Sequence, residues 1–124
     1  PEKIHSNLNG IILGMHARID NPELIRAQEL GIPVFSFPEF IYNQSQIKKR
    51  VVIAGSHGKT SITSMILHVL KDQGVDFDYL VGAQIEGFEL MVRLSDAPVI
   101  VIEGDEYLTS PIDRTPKFFH YHHD

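Results

Sequence analysis

The apolar positions fall into short blocks that alternate between strand-like runs and helix-like spacing. Ile11-Ile12-Leu13 is a brief apolar run stopped by Gly14, which predicts a buried strand. Asp20-Asn21-Pro22-Glu23 then marks a helix start. Asp20 or Asn21 can cap, Pro22 suits the first helical position, and Glu23 suits the positive end of the helix dipole. The helix continues through Leu24, Ala27, Gln28 and Leu30 until Gly31 ends it. Residues 32–36 predict a second strand, and Pro38 opens a short helix through Phe40 and Ile41. Strand, helix, strand, helix is the rhythm of a parallel α/β sheet.

Residues 43–49 are polar and read as an interdomain connector, with Lys48-Lys49-Arg50 as a solvated basic stretch before the next strand. That strand, residues 50–54, is β-branched without alternation, the pattern of a strand covered on both faces. Beyond Thr60, the positions Ile62, Met65, Ile66, Val69 and Leu70 recur at helical spacing and mark an amphipathic helix ended by Gly74. Further strands are expected over residues 78–82, over 88–94 as an edge, and over Val99-Ile100-Val101-Ile102. The fold class is therefore α/β, with parallel Rossmann-like sheet segments.

Composition narrows the function classes. A length of 124 residues allows one domain with a real core, or parts of two. Pro1 in place of Met, and the aromatic run just before Asp124, lead us to expect a piece of a longer protein. No apolar run approaches the ~20 residues a membrane helix needs, and no basic stretch followed by an apolar segment suggests a leader. We therefore expect no membrane partner. The absence of cysteine excludes disulfides, thiolate nucleophiles and zinc–thiolate sites, and fits a cytoplasmic protein. A net charge of −5 with no Lys/Arg stripe argues against a nucleic-acid partner.

The strongest chemical signal is Gly55-Ser56-His57-Gly58-Lys59-Thr60, which lies between an apolar strand and an amphipathic helix. A polyphosphate needs many donors at close range, and backbone N–H groups supply them when side chains stay out of the way, as at Gly55 and Gly58. Lys59 can reach terminal phosphate oxygens as a mobile charge, and the Thr60 hydroxyl can ligate the Mg2+ that accompanies ATP. The common phosphate-loop pattern places four residues between the first glycine and Gly-Lys. Here only Ser56 and His57 intervene, so this is a shorter variant.

The second signal is Glu103 at the C-terminal end of the apolar run 99–102, where α/β proteins bind ligands. Beside a phosphate loop, a carboxylate there can hold Mg2+ directly or through water. Asp105 and Glu106 are close by and read either as part of the site or as solvated turn residues. His57 either contacts phosphate or substrate, or simply occupies an exposed loop. His120, His122 and His123 read as an exposed strand end rather than a metal cluster, and His5, His16 and His68 as surface or partly buried positions.

Together these signals resemble the Mur ligases. Gly55-Ser56-His57-Gly58-Lys59-Thr60-Ser61 is similar to their G-T-x-G-K-T-[TS] loop, with Ser56 in place of Thr. Glu103-Gly104-Asp105-Glu106-Tyr107 resembles the E-[AG]-D-E-[SY] motif of members that act on UDP-N-acetylmuramate. Tyr107, and Lys117-Phe118-Phe119-His120-Tyr121 further on, are similar to the members that join the peptide L-Ala-γ-D-Glu-meso-diaminopimelate. So is the segment from Val81-Gly82 through Gly87-Phe88 to Arg93-Leu94. Gly87 stands where Asn is usual, and Leu108-Thr109-Ser110-Pro111 departs from D-x-A-F-F.

The resemblance implies a UDP-binding N-terminal domain ending within residues 1–47 and a central ATP-binding domain beginning within 48–124. It implies ATP and Mg2+ as cofactors, with UDP-N-acetylmuramate and a peptide or amino acid as substrates. The loop residues Gly55, Ser56, His57, Gly58, Lys59, Thr60 and Ser61 would bind ATP. Thr60 and Glu103 would hold the metal, and Lys59 and Glu103 would serve catalysis. The implied activity is amide formation through an acyl phosphate, with this piece inactive by itself. The alternatives are the member that adds L-alanine, and a phosphate-loop NTPase that forms no amide.

Overall fold

The computed structural model describes residues 2–104. The element order is β1 (Ile11–Leu13), α1 (Pro22–Glu29), β2 (Val34–Ser36), α2 (Phe37–Gln44), β3 (Lys49–Ile53), α3 (Lys59–Asp72), β4 (Phe77–Leu80), β5 (Val92–Arg93) and β6 (Val99–Glu103). Asp105, Glu106, Tyr107, residues 108–111, residues 117–121 and the histidines at 120, 122 and 123 lie outside the described residues.

Helix starts follow the local chemistry. The Asn21 side chain accepts from the N–H groups of Glu23 and Leu24 at 2.8 and 3.4 Å, with Pro22 at the first position of α1. Ser36 and Glu39 form a reciprocal capping box at the start of α2. Gly31 follows α1 at φ 66°, a conformation that glycine adopts at little cost.

β1 and β2 form a parallel pair. The second sheet has the order β3-β6-β4-β5, with β6 parallel to both β3 and β4 and β5 antiparallel at the edge. Alternate residues divide this sheet into two apolar faces. Val51, Ile53, Phe77, Tyr79, Val99 and Val101 pack with Ile66, Leu67 and Leu70 of α3. Val52, Leu80, Ile100 and Ile102 pack with Phe37 and Ile41 of α2. The sheet is thus sandwiched between helices, which explains the continuous apolar reading of β3 and β6. Ile41, Leu67, Ile100, Val101 and Ile102 are fully buried, each burial contributing about 1.5–3 kcal/mol.

Three expectations change. First, the basic stretch is not solvated throughout. Lys48 is buried and pairs with the fully buried Asp78 at 2.8 Å. Its ammonium also donates to the carbonyls of Ser95 and Ala97 at 2.5 and 2.7 Å. Arg50 lies over the Tyr42 ring of α2 at 5.3 Å, and the connector expected over residues 43–49 holds the last turn of α2 and the start of β3. Second, the inward face of α3 is Thr63, Ile66, Leu67 and Leu70, whereas Ile62, Met65 and Val69 are exposed. Thr63 can be buried because its hydroxyl donates to the Lys59 carbonyl at 2.8 Å. Third, the edge strand shrinks to Val92–Arg93, and Phe88 leaves it to enter the α3-side core.

Burial by itself would raise the pKa of Asp78. Hydrogen bonds from Lys48 and from the hydroxyl and N–H of Ser95, with the Lys48 charge, outweigh it and hold the carboxyl below its usual range. A depressed folded-state pKa contributes stability fully above the unfolded-chain value of ~3.9, and that contribution is lost as pH falls through the lower folded value. Asp78→Asn leaves Lys48 buried without its counter-charge, and we expect a loss of about 3–5 kcal/mol at pH 7 in urea unfolding. The variant should also lose less further stability than the parent between pH 5 and pH 3. Equal acid sensitivity in the two proteins would remove Asp78 from the acid response.

Candidate functional site

The parallel register brings the C-terminal ends of three strands to one edge. Ile53 pairs with Glu103, and Leu80 with Ile102, so β6 ends between the chain leaving β3 and the chain leaving β4. The loop from Gly55 to Gly58 follows β3 and delivers Lys59 and Thr60 to the first turn of α3. The Gly104 N–H donates to the Ile53 carbonyl at 2.9 Å, which ties the end of β6 to the strand that precedes the loop.

Gly55 and Gly58 have φ values of 146° and 76°, a region that side chains disfavour. Gly58 is the N-cap of α3 and offers no side-chain cap to the first-turn N–H groups. An anion can meet those donors, aided by the helix dipole. The Lys59 ammonium folds back onto the Gly55 carbonyl at 2.5 Å, four residues earlier, and so lies across the loop. Ser56 and His57 are exposed, with His57 Nδ1 and Ser56 Oγ 3.1 Å apart, and Ser61 is exposed on the first turn of α3.

The Thr60 hydroxyl donates to Glu103 Oε1 at 2.8 Å, joining the loop to the acidic strand end across 43 residues of sequence. Both residues are half-buried. A hydroxyl and a carboxylate converging in this way form a hard-oxygen pair. That fits Mg2+, which takes one or two protein ligands and completes its shell with water and phosphate oxygens. Among the described residues, no group of three or more histidines or carboxylates could hold a metal ion by itself.

One residue of this cluster had no role assigned from sequence. The Gly82 N–H, just past β4, donates to Glu103 Oε2 at 3.0 Å. Nothing in local periodicity singles it out, because its importance depends on which strand lies beside β6. An open cavity of about 380 Å3 lies instead at the opposite edge, lined by Lys71, Phe77, Tyr79, Phe88 and Arg93. Its cations are engaged, Lys71 with the Gly87 carbonyl at 3.0 Å and Arg93 with Asp76 at 3.2 Å. No helix among the described residues is long and apolar enough to cross a membrane.

Known proteins resemble this chain in sequence and in overall fold. The chain is 36% identical over 106 residues to a UDP-N-acetylmuramate–L-alanine ligase of Persephonella marina, covering 86% of the chain and 23% of that protein. It is 34% identical over 113 residues to a UDP-N-acetylmuramate–L-alanyl-γ-D-glutamyl-meso-2,6-diaminoheptandioate ligase of Haemophilus influenzae, covering 90% and 25%. The solved structure of UDP-N-acetylmuramate:L-alanyl-γ-D-glutamyl-meso-diaminopimelate ligase from Neisseria meningitides superposes with a TM-score of 0.80 at 31% identity, covering 91% of this chain and 38% of that one. No family profile matches the chain. The chain thus spans about a quarter of the length of these curated relatives.

The loop geometry makes a direct prediction. Gly58→Ala places a Cβ in the left-handed region, which costs about 1–2 kcal/mol. Urea unfolding should show that loss, together with weaker binding of inorganic triphosphate in calorimetry. A variant as stable as the parent would mean that the loop takes another conformation in solution.

Proposed function

This chain belongs to the Mur ligase family, and on that premise we propose that it supplies the phosphate-binding part of an ATP-dependent ligase acting on UDP-N-acetylmuramate. The observation that carries the reading is the 2.8 Å bond between Thr60 and Glu103, which joins the loop to the acidic strand end. A carboxylate and a hydroxyl brought together at the mouth of a glycine loop supply the hard oxygens that a metal–phosphate group takes. In this reading residues 1–47 close a UDP-binding domain and residues 48–124 open the ATP-binding domain. The protein acts in the cytoplasm as part of a longer ligase, and this piece is inactive by itself.

The substrate we propose is the peptide L-Ala-γ-D-Glu-meso-diaminopimelate, as in the murein peptide ligases. A carboxylate oxygen of UDP-N-acetylmuramate attacks the γ-phosphorus of ATP, and ADP leaves. The peptide amine then attacks the acyl carbon of the resulting acyl phosphate, forming the amide and releasing phosphate. Such chemistry needs positioning and charge neutralisation more than covalent help. The N–H groups of residues 55–61 would cradle the ATP phosphates, with Ser56, His57 and Ser61 bordering them, and Lys59 would neutralise the terminal oxygens. Thr60 and Glu103 would hold Mg2+, which when bound offsets phosphate charge.

A second reading has its own support. The 36% identity to the Persephonella marina enzyme supports L-alanine as the amine as well as the 34% identity to the Haemophilus influenzae enzyme supports the peptide. Supplying the full-length ligase with L-alanine and with the tripeptide decides between them: amide formation with the tripeptide alone supports our reading, and with L-alanine alone overturns it. Phosphate release that does not depend on UDP-N-acetylmuramate would instead mark an NTPase that forms no amide. Lys59→Ala should lower turnover by orders of magnitude at saturating ATP. Unchanged turnover would remove the loop from the site.

A further inference from the structure

Glu103 is held from two sides. Thr60 engages Oε1 at 2.8 Å, and the Gly82 N–H engages Oε2 at 3.0 Å. A Cβ at position 82 would stand 3.1 Å from Oε1, 3.4 Å from Cδ and 3.6 Å from Oε2 of Glu103. The first of these is closer than ordinary van der Waals contact, and the atoms it meets are those of the carboxylate itself. Gly82 is not among the glycines with positive φ, so backbone conformation does not demand glycine there. It is also exposed, so no core packing demands it. What the missing side chain provides is room for the carboxylate to lie on the amide.

We propose that Gly82 is a positioning residue for the metal–nucleotide site, acting through Glu103. A glutamate whose carboxylate is not tied down samples several rotamers. With one oxygen tied to Gly82, the other faces the Thr60 hydroxyl at the mouth of the loop rather than bulk solvent. A methyl group at position 82 crowds Oε1 at 3.1 Å and shifts the carboxylate by a few tenths of an ångström, out of line with the Thr60 hydroxyl. The inference rests on the reading that Glu103 serves the metal–ATP site, and the test separates the two. Groups that orient a metal ligand from behind commonly contribute 10–100-fold to metal affinity.

The test is Mn2+ binding to the full-length ligase in the presence of ADP, followed by electron paramagnetic resonance, with melting temperature measured alongside. Gly82→Ala should weaken Mn2+ about tenfold or more, within that range, with an unchanged melting temperature. In the Glu103→Asp background, adding Gly82→Ala should cost nothing further, because the shorter carboxylate no longer reaches position 82. Normal Mn2+ binding by Gly82→Ala, or an equal loss in both backgrounds, overturns the proposal. Glu103→Gln is the control: if it too binds Mn2+ normally, the reading of Glu103 itself fails. If Gly82→Ala does not fold, the double variant with Glu103→Asp decides. Folding of the double variant supports a clash with Glu103, and failure of both overturns it.

Discussion

The loop end of this molecule depends on the parallel pairing of β6 between β3 and β4. Parallel strands start and finish together, so their C-terminal ends converge on one edge. That geometry sets Glu103 between the phosphate-type loop on one side and Gly82 on the other. An antiparallel β6 would carry the same residues to the opposite edge and leave Thr60 without its carboxylate partner. The site is a consequence of strand direction before it is a consequence of any single side chain.

Strand direction in turn relies on burial. A parallel sheet is stable when both faces are covered, and here α3 covers one and α2 the other. The Lys48–Asp78 pair lies at the far edge from the loop, among the carbonyls and hydroxyl of residues 95 and 97. Burying two charges has a desolvation cost, met here by a 2.8 Å pairing and several hydrogen bonds. The ends of the sheet therefore differ in kind. One is closed by satisfied charge, and the other presents glycine, N–H groups and converging oxygens.

Much of this was legible from single residues. Asn21 and Pro38 announce their helix starts because capping and the fixed φ of proline act between near neighbours, whereas the Ser36–Glu39 capping box emerged only in the structure. The apolar runs at β3 and β6 announce a doubly covered sheet, and Gly55 through Thr60 announce a tight glycine turn from strand to helix. The misreadings all concern partners distant in sequence. Lys48 looks solvated until Asp78, 30 positions on, is placed beside it. Ile62, Met65 and Val69 share the helical period of α3 but lie off its buried stripe, since periodicity gives a spacing and not the direction of the sheet. Phe88 fits a strand pattern locally, yet its ring meets Tyr79 and His68 at 5.3 Å in the core and on the α3 surface.

By itself the sequence determined the α/β class, the approximate helix starts, the short glycine loop and the candidate acid at the end of an apolar strand. These depend on backbone preferences and on contacts within a few residues, which a linear string records. Tertiary structure alone decided that β6 inserts between β3 and β4, that Thr60 and Gly82 share one carboxylate, and that Lys48 is buried against Asp78. Each of these joins positions 20 or more residues apart across the sheet, and strands apolar on both faces, like β3 and β6, carry no alternation that would choose a register.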